Sequence, residues 1–151
     1  MKKKGSIIEF TEVRDRELHW NFMEILRTER GVPLRDMFGM AARRKASRFW
    51  VSELRAAVVI GAMLRGEDLC DMLPKRREMF EEIYRRVVAL RKKRPELSIA
   101  HAVSDVVCSS APEFYLSDES ARTIIYKFRQ RKNNRHGKSI GVGKNNGVGN
   151  D

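Results

Sequence analysis

The sequence predicts an all-α protein built from two diverged, tandem three-helix repeats that pack together, and three observations carry that prediction. The chain resembles itself at an offset of 65 positions: residues 46–60 align without gaps on 111–125, where Ala46, Phe49, Ser52, Ala56 and Ile60 recur as Ala111, Phe114, Ser117, Ala121 and Ile125. Trp50 against Tyr115, Val51 against Leu116, Glu53 against Asp118 and Val59 against Ile124 exchange like for like. Upstream, the same offset superposes apolar positions, among them Leu18 on Ile83, Phe22 on Val87, Leu34 on Ile99 and Phe38 on Val103. Within each copy the apolar residues recur at spacings of three and four, the helical period, with no sustained alternation of a strand. The breaks between periodic stretches carry Pro, Gly and Ser, the residues that open and close helices.

Each element follows in order. After an N-terminal arm, 1–13, the first repeat covers 14–65, with helices near 12–29, 33–44 and 52–65. Pro33 suits an opening helical turn, because its missing N–H is not needed there. Ser52 is placed to cap the third helix and Glu53 to face the positive end of its dipole. A linker, 66–75, leads to the second repeat, 76–131, with helices near 76–94, 96–109 and 117–131. There Ser117 repeats the cap, Asp118 and Glu119 follow it, and Pro95 and Pro112 mark the breaks. The Asn, Gly and Lys-rich stretch 132–151 reads as a flexible basic tail.

The third helices of the two copies share an inner face and differ outside. In the first copy the outward positions Ala57, Val58, Gly61 and Ala62 make the helix apolar all round, so it is expected to be covered on both sides, as the hub between the repeats or as a dimer face. Phe49-Trp50 and Phe114-Tyr115, just ahead of the capped helices, read as core or staple residues.

Composition narrows the function classes. The 151 residues carry 31 Lys and Arg against 20 Asp and Glu, a net charge of +11 spread over both copies and the tail, which favours polyanionic partners. Cys70 and Cys108 have no second cysteine near them, so neither a zinc knuckle nor a disulfide framework is readable, and both are expected reduced and buried. Residues 2–4 are lysines, but Glu9 and Glu12 interrupt the following apolar stretch, so no export signal is read. The longest apolar run, Ala56 to Leu64, is far short of the ~20 residues of a spanning helix. A soluble, cytoplasmic protein is expected.

Three helices with the last capped by serine resemble the helix-turn-helix class of DNA-binding domains, in which the final helix lies in the major groove. The connection Ala111 to Leu116 is longer than the short turn of that class. In the second copy Ala121, Ile124, Ile125 and Phe128 form the inner stripe, leaving Arg122, Thr123, Tyr126, Lys127 and Arg129 elsewhere on the helix. These residue types contact phosphates and base edges. Arg43, Arg44, Lys45 and Arg48, together with Arg131 and Lys132, are the expected phosphate anchors. A plain solvated helix face is the other reading of the same residues.

Signals for catalysis are thin. His19, His101 and His136 share no motif, and Gly141-Val142-Gly143-Lys144 lacks the spacing and the Ser or Thr of a phosphate loop. Glu78, Glu81 and Glu82 alternate with arginines at helical spacing, which points to intrahelical ion pairs rather than to a metal site. The sequence therefore predicts a non-enzymatic nucleic-acid-binding protein without cofactor or metal, its partner duplex DNA ahead of RNA and a homodimer possible. A helical protein-interaction or self-assembling adaptor is the alternative.

Overall fold

The computed structural model describes the backbone of residues 2–142 and the side chains of residues 10–135. Six helices account for nearly all of it: α1 (Lys2–Thr28), α2 (Leu34–Arg43), α3 (Glu53–Leu64), α4 (Pro74–Lys93), α5 (Ile99–Val107) and α6 (Asp118–Val142). The predicted helices are all present, with shifts at their ends. Pro33 is the N-cap of α2 rather than part of its first turn, whereas Pro74, read as linker, is the residue that opens α4. The Oγ of Ser52 accepts the Arg55 N–H, as a cap must, and the Oγ of Ser117 accepts that of Ser120 at the matching place. Gly66, at φ 87°, ends α3 in the left-handed conformation open to glycine, and the linker begins there.

The helices group in a way the tandem order does not suggest. Helix α6 packs on α1 and α2, while α3 packs on α4 and α5, and among the described residues α3 touches neither helix of its own repeat. The third helices are exchanged: each repeat donates its last helix to the other. The packed groups therefore do not follow the expected division into 14–65 and 76–131.

Hydrogen bonds across the crossover segments show the exchange to be two-fold. Ala46 and its counterpart Ala111 pair with each other, N–H to carbonyl at 3.0 Å in both directions, an isolated antiparallel bridge. The Phe49 N–H donates to the Val107 carbonyl at 3.0 Å, and the Phe114 N–H to the Ala42 carbonyl at 2.8 Å. Every one of these residues has its equivalent 65 positions away in the same set, so the bonds are related by a pseudo-two-fold axis through the Ala46–Ala111 bridge. Side chains repeat the relation: Arg43 donates to Asp118, and Cys108 Sγ, at the position equivalent to Arg43, donates to Glu53, the equivalent of Asp118.

The recurrent residues of the repeat have specific roles in this arrangement. Ala46 and Ala111 form the bridge, Phe49 and Phe114 are buried beside it, and Ala56, Ile60, Ala121 and Ile125 face the scaffolds that receive the exchanged helices. The core is one continuous apolar cluster, with Phe22 stacked on Phe38 (4.8 Å between ring centres) on the α1–α2 side and Phe80, Ile83 and Val103 on the other. Gly39 of α2 leaves room for the Asp118 carboxylate at the start of α6, which a Cβ there would run into.

Four expectations change. Residues from Lys2 onward belong to α1, so 1–13 is no separate arm. Helix α6 continues to Val142 where a tail was expected from 132, because Arg131 and Arg135 reach back to Asp15 and Glu12 on α1 and hold it there; residues 143–151 of the expected tail lie outside the described residues. Helix α3 is covered on one side only, with Leu54 72% and Val58 58% exposed, so it is not a hub buried all round. Both cysteines are exposed, and the bond to Glu53, then burial, raises the Cys108 thiol above its ordinary range.

Candidate nucleic-acid interface

The surface of α6 is set by its packing. With Ala121 and Ile125 buried and Ile124 and Phe128 half-buried against α1 and α2, the helical period turns Arg122, Thr123, Tyr126 and Lys127 to solvent. Arg122 and Tyr126 are one turn apart, and the guanidinium lies 5.6 Å from the centre of the phenol ring. Tyr126 in turn sits 5.6 Å from Phe38 of α2, which keeps its ring upright on the face. Among the described residues neither Arg122 nor Lys127 has a carboxylate partner. Arg43 stands at the start of the same helix, bonded to Asp118 at 2.9 Å.

The remaining predicted anchors divide by what already occupies them. Arg44 pairs loosely with Glu29 at 3.8 Å, and Lys45 and Arg129 are exposed without an ion pair among the described residues. Arg48 is half-buried: its guanidinium donates to the Phe49 and Val51 carbonyls and lies against the rings of Phe10 and Trp50. Arg131 donates to Asp15 Oδ2 at 2.9 Å. Arg48 and Arg131, expected to anchor phosphates, are tied to the fold, because each lies where a buried acceptor needs a donor.

A second feature lies where α6 runs along α1. A groove of about 430 Å³ is walled by Glu12, Arg16, His19 and Trp20 from α1 and by Phe128, Arg131, Lys132 and Arg135 from α6, with Arg135 paired to Glu12 and Arg131 to Asp15. Trp20 is 65% exposed at its side, and Arg16 and Lys132 have no carboxylate partner among the described residues. Arg16 and Trp20 were not among the expected contacts, and His19 was noted only as lacking a catalytic motif; their spacing along α1 shows one helix edge, but only the crossover brings α6 beside it. An exposed indole between cations can stack on a base while the cations meet phosphates. Burial, then Arg129 and Lys132, hold the His19 imidazole below its ordinary range.

That shift has a direction in stability. The unfolded chain takes up the His19 proton first, near 6.5, while the folded protein resists it, so stability is full above that pH and is lost as pH falls toward the depressed folded value. A His19→Gln variant should show a smaller drop than wild type in urea midpoint between about pH 7.5 and about pH 5.5. Equal drops would remove His19 as the cause.

Glutamates on α4 are engaged as their spacing predicts: Glu82 pairs with Arg86 at 2.8 Å and also with Arg85, and Glu81 pairs with Arg77. No group of three potential metal ligands occurs among the described residues, and no described helix is long and apolar enough to cross a membrane. Neither a protein-family model, a curated protein nor a solved structure matches the chain.

Proposed function

We propose that this is a non-enzymatic protein that binds duplex DNA through the outer face of α6. The observation that carries the reading is the group Arg122, Thr123, Tyr126 and Lys127, exposed together on one helix face, with both cations unpaired among the described residues. Arginine and lysine there can meet guanine edges and phosphates, and Thr123 can donate to either. Arg43 and Lys45 near the start of α6, with Arg129 and Lys132 along it, add phosphate contacts. In this reading the DNA-contacting unit is composite, with the reading helix from the second repeat seated on a scaffold from the first.

Binding to matched duplex DNA, single-stranded DNA and RNA, followed by fluorescence anisotropy at about 0.05 and about 0.2 M salt, tests the reading. Duplex binding that survives the higher salt is expected. Arg122→Ala with Lys127→Ala should then weaken it at least about tenfold with the helical circular-dichroism signal unchanged, since each lost charge-assisted contact is worth ~1.5–3 kcal/mol. Unchanged affinity would remove this face, and preference for RNA would change the partner.

One observation favours a second reading. Leu54 and Val58 leave the outer face of α3 apolar and open, at the place equivalent to the α6 face. A self-assembling helical adaptor would use that face, and light scattering on the eluted protein would then give a dimer that Val58→Lys dissociates.

A further inference from the structure

A cleft of about 560 Å³ lies between the two exchanged units, and none of Arg122, Thr123, Tyr126 and Lys127 lines it. Its walls include Arg14 and Met79, Trp50 and Tyr115, and Val51 and Leu116, three pairs related by the 65-residue offset, so it opens on the pseudo-two-fold axis. Pockets that take small molecules begin at about 300 Å³, combine apolar walls with a few polar groups and favour the boundaries between units.

Three features distinguish this cleft from a packing gap. The indole Nε1 of Trp50 is buried with no hydrogen-bond acceptor among the described residues, an arrangement that native interiors rarely leave. Two of its four arginines are committed, Arg14 to Asp15 and Arg48 to the Phe49 and Val51 carbonyls, whereas Arg55 and Arg76 have no carboxylate partner among the described residues. Tyr115 holds φ 56°, a left-handed backbone unusual for a bulky residue, which fixes its ring in the wall over Phe49. Burial, then Glu82 and Glu113, push the Tyr115 phenol up to about 12. Glu53, the acid in the wall, is engaged by the Cys108 thiol.

We propose that this cleft binds a small organic anion with a planar apolar body, of the aryl carboxylate or sulfonate class. Its anionic head meets Arg55 and Arg76, and its body lies on the apolar wall of Phe10, Met79 and Leu116, beside the Trp50 indole. A flat, charged ligand uses both the two open arginines and the apolar wall, which a neutral or cationic one does not.

The full chain titrated with 1-anilinonaphthalene-8-sulfonate tests the assignment. With Trp20→Phe as background, Trp50 is the remaining indole, because the chain has two tryptophans. Saturable binding of one equivalent with quenching of Trp50 is expected, weakened about tenfold in Arg55→Gln/Arg76→Gln and less in Arg55→Gln alone. Unchanged affinity in those variants, or uptake of several equivalents without saturation, would overturn the site. Displacement of the probe by duplex DNA would also overturn it, placing the cleft on the nucleic-acid surface instead.

Discussion

A fragment of residues 1–68, cut within the linker, should not fold as a monomer. In the full chain α1 and α2 are covered by α6, with Tyr126 against Phe38 and Phe128 against His19, and α3 leaves its own repeat to pack on α4 and α5. Cut at the linker, α1 and α2 lose the cover of Ala121 and Ile125, and α3 loses its bed. Uncovering one large apolar side chain costs ~1.5–3 kcal/mol, and a few such losses equal the ~5–15 kcal/mol that holds a small domain folded. The expected result is a loss of most helical circular dichroism, or recovery of it only as a homodimer in which α3 of each copy sits on the partner's α1 and α2. Mixing 1–68 with 69–151 should restore the helical signal and a one-to-one complex. Cooperative unfolding of 1–68 as a monomer would overturn this expectation and show that the connection 44–52 also lets α3 close onto its own α1 and α2.

Replacing Asp15 by Ala should lower stability by about 2–4 kcal/mol, read as a urea midpoint shift at unchanged slope. Asp15 is the one buried charged residue of the described core, and its two oxygens divide the work: Oδ1 accepts two bonds from Arg14 and Oδ2 one from Arg131 of α6. Removal leaves Arg14, mostly covered, without a counter-ion and unties α6 from α1. Arg131→Ala should destabilise less, because its side chain is half exposed and its loss leaves Asp15 still paired with Arg14. Lys132→Ala, one position on, should leave stability within about 0.5 kcal/mol and weaken duplex binding. Equal effects of Arg131→Ala and Lys132→Ala on stability would deny Asp15 its anchoring role.

The six helices were legible because short-range chemistry determines them. Apolar residues at three and four, Ser52 and Ser117 ahead of acidic residues, and the prolines at the breaks act within a few residues of where they stand. The outward group on α6 was legible for the same reason: once Ala121 and Ile125 are inside, the helical period leaves Arg122, Thr123, Tyr126 and Lys127 elsewhere. The bonds of Arg48 and Arg131 were not legible, because a surface-type side chain does not announce which distant acceptor it will meet. The Phe49 and Val51 carbonyls and Asp15 take their guanidinium groups only after the crossover has formed.

Which scaffold each third helix would choose was beyond the sequence pattern, for a physical reason that the repeat itself supplies. Ala56 and Ile60 on α3 match Ala121 and Ile125 on α6, and the beds they can occupy, Phe22 and Phe38 or Val87 and Val103, match as well. Burial alone therefore scores the exchanged and the local packing almost equally. The connections break the tie: nine residues from 44 to 52 span about 30 Å when extended, enough to cross to the other unit, and the Ala46–Ala111 bridge gives the crossing strands partners for their backbone groups. Sequence by itself determined six helices, their caps and the charged face of α6. Tertiary structure alone decided that this face stands on the first repeat's scaffold, that Trp20 and Arg16 come beside Phe128 and Lys132 farther along α6, and that a cleft opens between the two exchanged units, because those are consequences of long-range pairing that no local pattern encodes.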